Sequence, residues 1–208
     1  MSVPTSLSSR YPALSRPPTA ARPLHVVMAC TGSVASVKVP NMVAGLLAYP
    51  HIHVHVVASA AALHFFEADA VDALDARAST FGVHELAAMN RTADQPAESS
   101  SAAAPRAKVW RDADEWAAWT AVGDPVLHIE LSFLRALSPD TPTWVYPAMN
   151  TLMYLHPLTA QHVASLKALG YEVHGPIAKR LACGDLGMGA MLEWTDIVRM
   201  VAERYGMT

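Results

Sequence analysis

Hydrophobic positions along the chain fall into short blocks separated by polar or glycine-bearing turns. Leu24 to Cys30 (LHVVMAC) is an apolar run that meets TGSVAS at once. A buried parallel strand entering a helix has this pattern. The helix is predicted from about Val34 to Leu47, and Pro50 marks its end. Ile52 to Ala58 (IHVHVVA) predicts a second strand, and residues 60–66 begin another helix. Lys108 to Trp110 predicts a short third strand. Asp112 to Trp119 (DADEWAAW) predicts a helix whose acidic first turn suits the helix dipole. Helical spacing returns from His128 to Leu137, and Thr143 to Tyr146 (TWVY) reads as the next strand. A helix over Thr159 to Leu169 is stopped by Gly170, Tyr171 to Val173 is a last short strand, and residues 182–190 (ACGDLGMGA) form a glycine-rich loop. Trp194 to Arg204 is the C-terminal helix. Strands alternating with helices imply a three-layer α/β fold, a parallel sheet with helices on both faces and right-handed crossovers. Ligands in such folds bind beyond the carboxyl ends of the strands.

Two segments fall outside this alternation. Residues 1–23 carry Pro4, Pro12, Pro17, Pro18 and Pro23 with Arg10, Arg16 and Arg22, and no acidic residue precedes Glu67. An Arg- and Ser-rich, acid-free start can be a transit peptide, but the prolines oppose the amphipathic helix such a peptide needs. A disordered tail is the expectation. Residues 91–107 (RTADQPAESSSAAAPRA) lack an apolar period and predict a disordered insertion. The domain proper is expected over 24–208.

Composition narrows the classes. With 208 residues, 52% of them hydrophobic, the chain can build one domain with a sizeable core. A net charge of -3 leaves no basic surplus for phosphates, so nucleic acid is not an expected partner. No apolar run is long enough to span a bilayer, so no membrane is expected. The two cysteines, Cys30 and Cys183, form no CxxC pair and suit a reducing cytoplasm. His51, His53 and His55 alternate with apolar residues, which puts three imidazoles on one strand face. No acidic or Cys ligand lies nearby, so a polar strand face is favoured over a metal site.

Four segments carry candidate chemistry. Thr31-Gly32-Ser33-Val34-Ala35 joins the first strand to its helix, where Gly32 permits close backbone approach and helix-start N–H groups can bind a phosphate. It is neither a GxGxxG fingerprint nor a P-loop. Pro147-Ala148-Met149-Asn150 follows TWVY at the carboxyl end of the sheet, and Asn150 alone reads as a helix N-cap. Cys183-Gly184-Asp185-Leu186-Gly187-Met188-Gly189 reads equally as a mobile flap bearing a thiol and as an ordinary glycine-rich turn. His128 follows Gly123-Asp124-Pro125-Val126-Leu127 near a loop-to-helix junction.

Together these segments resemble a known family. TGSVAS, DADEW, DPVLHIEL, PAMNTLM and LACGDLGMGAM occur in this order in the flavin-dependent cysteine decarboxylases, with DPVLHIEL pointing to the phosphopantothenoylcysteine branch. They are also similar to the halotolerance phosphatase-inhibitor proteins. The resemblance covers roughly 24–66 and 108–206. It implies a flavodoxin/Rossmann-like sheet, a homotrimer and an FMN site at Gly32, Ser33, Val34, Ser59, Ala60, Ala61, Ala148 and Met149. His128 matches the family's catalytic histidine, Asn150 the residue that grips the substrate carboxylate, and Cys183 the proton donor on a closing flap. The implied substrate is 4'-phosphopantothenoylcysteine and the implied product 4'-phosphopantetheine. The residue types suit that chemistry, because a simple cysteine carboxylate has no electron sink and the flavin supplies one by transient oxidation.

The chain departs from the family at one large place. After the HIEL segment the family carries a buried strand, an alanine-rich phosphate-binding turn and a helix. Here Leu131 runs through Ser132-Phe133-Leu134-Arg135 almost directly into SPDTPTWVY. A strand-plus-crossover unit of roughly 30 residues is absent. Resemblance places that strand next to the first one, so its loss should expose apolar surface unless the WVY strand shifts across. The alternative functions are a non-catalytic regulatory subunit of the halotolerance type and an inactive truncated paralogue. Ala61 and Ala62 also replace hydroxyl-bearing residues at one flavin contact, and Tyr154 replaces the usual Trp after PAMNTLM.

Overall fold

The computed structural model describes residues 17–91, 104–131, 141–180 and 186–207. β1 (Leu24–Cys30) leads through a 3₁₀ turn (Val34–Lys38) into α1 (Val39–Leu47), and β2 (Ile52–Ala58) follows. α2 (Ala68–Asp72) and α3 (Val83–Arg91) come next, then β3 (Ala107–Trp110), α4 (Asp112–Ala118) and the single-turn α5 (Leu127–Glu130). β4 (Trp144–Val145), α6 (Thr151–Leu155), α7 (Pro157–Ala168) and β5 (Glu172–Val173) form a second unit. The chain closes with β6 (Ile177–Arg180), β7 (Leu186–Ala190) and α8 (Trp194–Arg204).

β1, β2 and β3 form one parallel sheet in that order. Period two sorts its side chains onto two faces. Val26, Met28, Ile52, Val54, Val56, Ala107 and Val109 point to one core, which α1 and α8 cover through Val39, Val43, Leu46, Ile197, Val198 and Val201. The opposite face is covered by a second core of Phe81, Val83, Leu86, Trp110, Ala118, Leu127 and Leu131. Helices therefore lie on both faces of a parallel sheet, as expected from the alternation of elements.

The absent unit leaves a visible trace. β1 pairs with β2 on one edge, and among the described residues nothing pairs with its other edge. β4 pairs in parallel with β5 instead of closing onto β1. β2 is mostly buried along its length, whereas β1 is only half-buried. The WVY strand has not shifted across.

Several elements escaped the sequence pattern. Residues 60–66 hold only a 3₁₀ turn (Ala62–His64), and α2, α3, α6 and β6 were not expected. Residues 186–190 of the glycine-rich loop form β7, paired antiparallel with β6. Residues 92–103 of the insertion and residues 1–16 of the tail lie outside the described residues. Within the tail, Thr19 and Arg22 pair in an antiparallel bridge. The end of the insertion is buried: Ala104 and Ala107 are core residues. The Arg106 guanidinium donates to the carbonyls of Leu47 (2.7 Å), Tyr49 (2.6 Å) and Ile52 (3.3 Å), satisfying the C-terminal end of α1.

On the histidine face His55 is buried, while His25 and His53 are half-buried. His25 of β1 stacks on His53 and on His55, with ring centroids 5.0 and 5.4 Å apart, while His51 sits in the preceding turn at φ 60°. The Trp110 indole N–H donates to His55 Nδ1 at 3.2 Å. His55 Nε2 must then carry the proton, and it lies 3.1 Å from His25 Nδ1. Among the described residues no cluster of His, Cys, Asp and Glu could hold a metal ion, and no helix is long and apolar enough to cross a membrane.

Burial holds His55 neutral, with its pKa lowered to about 3, and lowers that of His53 as well. A group whose folded pKa is depressed contributes stability that is present above its unfolded value and lost as pH falls. Between pH 6.5 and 5, His55 alone is expected to remove about 2 kcal/mol of folding stability. Urea titrations across this range check it. His55→Gln, which can still accept from Trp110 and donate to His25, should flatten the dependence.

Candidate active site

Three turns meet at the carboxyl end of the parallel strands. The first follows β1. Ser33 caps the 3₁₀ turn, its Oγ accepting the Ala35 N–H at 3.4 Å, and Ser36 Oγ donates back to the Thr31 carbonyl at 2.9 Å. The second follows β2. The Ser59 N–H donates to the Cys30 carbonyl at 3.1 Å, and Ser59 O accepts the Ala62 N–H at 2.9 Å. The third, Pro147–Asn150, follows β4.

Close contact joins them. A Cβ on Gly32 would stand 2.7 Å from Ala61 Cβ, so only glycine lets the first two turns touch. Ser33 Oγ donates to the Ala148 carbonyl at 3.4 Å, joining the first turn to the third. The Met149 N–H donates to the Gly189 carbonyl at 2.9 Å, joining the third to β7. Gly189 has φ +145°, and a Cβ there would lie 2.0 Å from the Met149 carbonyl oxygen. At Gly187 a Cβ would lie 2.2 Å from Thr151 Oγ1. These two glycines therefore serve close docking of β7 on the Pro147–Asn150 turn and on Thr151, where the sequence read equally as a mobile flap and as an ordinary glycine-rich turn.

The predicted cofactor residues Gly32, Ser33, Val34, Ser59, Ala60, Ala61, Ala148 and Met149 thus all lie on these turns. Val34 is 49% exposed and Ala60 and Ala61 are exposed, so the joined turns present an open shelf of small and apolar groups. Asn150 caps α6, its Oδ1 accepting the Met153 N–H at 2.8 Å. Its amide N–H donors meet no partner among the described residues. Asn150 is exposed, so the cap leaves these two donors accessible.

His128 lies on α5. That turn packs by Leu127 and Leu131 against Val57 and Ala58 at the end of β2, around a cavity of about 150 Å3 also lined by Trp110 and Glu115. The His128 backbone is thus carried next to the second turn. Cys183 lies outside the described residues; β7, which begins at Leu186, brings the chain following it onto the shelf. Cys30 is not a competing nucleophile. Burial pushes its thiol up to about 11, and Sγ donates to the Val57 carbonyl at 3.6 Å.

Replacing Gly189 by Ala should cost ~1–3 kcal/mol, because a backbone carbonyl must move to admit the methyl group. Chemical denaturation measures the loss. Proteolysis should also show the β6–β7 hairpin detached from the Pro147–Asn150 turn.

The chain is similar to several known proteins. A family model described as Flavoprotein matches residues 14–134 and 131–206, two stretches that meet where the strand-plus-crossover unit is absent. The chain is 32% identical to phosphopantothenoylcysteine decarboxylase of Mus musculus over 225 residues, covering 94% of each. Those aligned positions outnumber the 208 residues of this chain, so the alignment crosses residues of the mouse protein that this chain lacks. A probable thymidylate synthase of Schizosaccharomyces pombe is 31% identical over 86% of this chain, which spans 29% of that protein. Among solved structures, a PPC decarboxylase mutant complexed with pantothenoylaminoethenethiol superposes with TM-score 0.66 at 30% identity, covering 86% of this chain and 97% of the other. The FMN binding protein AtHal3 superposes with TM-score 0.65 at 29% identity, covering 90% and 99%.

Proposed function

We propose, for a chain that belongs to the Flavoprotein family, the FMN-dependent decarboxylation of 4'-phosphopantothenoylcysteine to 4'-phosphopantetheine, a carboxy-lyase step in coenzyme A biosynthesis. The observation that carries this reading is the convergence of the Gly32–Val34, Ser59–Ala61 and Ala148–Asn150 turns at one end of the sheet, beside α5 and β7.

The residues present fit the ring end of the cofactor, while the turn that the resemblance assigns to its phosphate is not in this chain. The shelf is open and apolar, with no bulky side chain at Gly32, Ala60, Ala61 or Ala148, as the edge of a flat ring system requires. FMN bound there supplies a reversible oxidation that gives the departing carboxylate an electron sink. Asn150 would hold the substrate carboxylate with its accessible amide donors, a job compatible with capping α6 because the cap uses only Oδ1. His128 would serve as the acid–base group, and Cys183 would deliver the proton to the carbon that CO₂ leaves. The β6–β7 hairpin would exclude water from that carbon.

A homotrimer and a cytoplasmic setting complete the reading. α6 and α7 bury no residue of their own, and Leu152 (81%) and Leu155 (67%) are largely exposed, a surface suited to a neighbouring subunit. A second reading, a regulatory subunit of the halotolerance type, is favoured by the unpaired edge of β1 among the described residues. It predicts co-purification with a complete decarboxylase subunit.

The visible spectrum after addition of FMN tests the main reading. Bound-flavin absorbance is expected, and a protein that stays colourless defeats it. His128→Asn and Cys183→Ser should keep the flavin yet lose about 100-fold or more in turnover.

A further inference from the structure

The segment 67–107 has no role in the reading above. Its helix α3 nevertheless ends in a fully buried amide. Asn90 is 0% exposed. Its Nδ2 donates to the Glu130 carboxylate (Oε2, 2.7 Å) and to the Glu130 main-chain carbonyl (3.2 Å). Both partners are pure acceptors, so the orientation of the amide is settled by chemistry. Glu130 is itself buried, at 9% exposure.

We infer that Asn90 is a positioning residue for His128, an inference that rests on the assignment of His128 above. α5 is a single turn, held along its axis by Glu130 N–H to Val126 O (3.0 Å) and Leu131 N–H to Leu127 O (2.9 Å). One turn fixes several dihedrals for few hydrogen bonds and does not stand alone. Leu127 and Leu131 anchor it in the second core. Apolar contact is non-directional, so those two anchors leave rotation about their own line unopposed. The two Asn90 bonds are directional and grip the turn off that line, two residues after His128. Asn90 thus sets the rotation of the turn that carries position 128. The clamp comes through a helix that also supplies Val83 and Leu86 to the core beneath α5.

The test uses full-length, FMN-loaded protein and four variants. Asn90→Leu preserves volume and removes both donors. It should lower kcat about tenfold or more, with KM and FMN affinity within about twofold, since small misplacements of a reacting group are costly. The reversed pair N90D/E130Q restores a donor facing an acceptor and should recover kcat to within about threefold of the parent. N90D alone sets two carboxylates face to face and should be as slow as N90L; it serves for the comparison if N90L does not fold. Without added FMN, amide exchange across Leu127–Leu131 should accelerate in N90L and slow again in the pair. Parental kcat in N90L or N90D, or a reversed pair as slow as N90D, overturns the proposal. H128N separates the two levels. An active H128N overturns the assignment of His128, whereas an inactive H128N beside a fully active N90L overturns the clamp alone.

Discussion

Close approach of one backbone to another organises this molecule. Gly32 lies against Ala61, Gly189 against the Met149 carbonyl and Gly187 against Thr151, each at a distance that a single methyl group would forbid. Glycine at these three positions permits the approach, and the hydrogen bonds from Ser33 to the Ala148 carbonyl and from the Met149 N–H to the Gly189 carbonyl hold it. Strand-end turns from distant parts of the chain are thereby held in contact. Glycines that suggest looseness in a sequence act here as the means of tight assembly.

The two faces of the sheet divide the labour. One carries an aliphatic core between the strands and the α1–α8 pair, which supplies most of the burial. The other carries aromatic and titratable groups: the His25, His53 and His55 stack, Trp110, and Lys108 donating to the Ala78 carbonyl at 2.9 Å. That second face supports α5, and burial keeps the His55 ring within it uncharged. The cost of the absent strand falls on β1, whose outer edge is only half-covered.

The sequence made β1, β2 and α8 legible because each is continuous and strongly patterned. α1 was legible too, since Ser33 precedes it and Pro50 follows it. β6 and β7 were not, because glycine-rich residues have no strand propensity and the pairing exists only through contact with residues 149–151. α3 was missed because its apolar residues are sparse and it faces a core formed only in three dimensions. The histidine cluster was half-visible: alternation exposed His53 and His55, but His25 joins through strand register, which no local pattern records. Motifs located the turns of the site, and even their recognised glycines did not disclose which atoms each would meet. The Asn90–Glu130 bond joins residues on elements whose proximity is purely tertiary.

Arg106 has an evolutionary consequence. Its guanidinium ties the re-entry of the chain into β3 to the end of α1, while Asn90 secures the departure of the chain at α3. With both gateposts fixed, the stretch between Asn90 and the buried Ala104 can lengthen or shorten without disturbing the sheet. Doubling such a connection costs only about 0.6 kcal/mol of closure entropy. Descendants of this chain can therefore vary that stretch freely, whereas the two anchoring side chains are the ones selection has reason to keep.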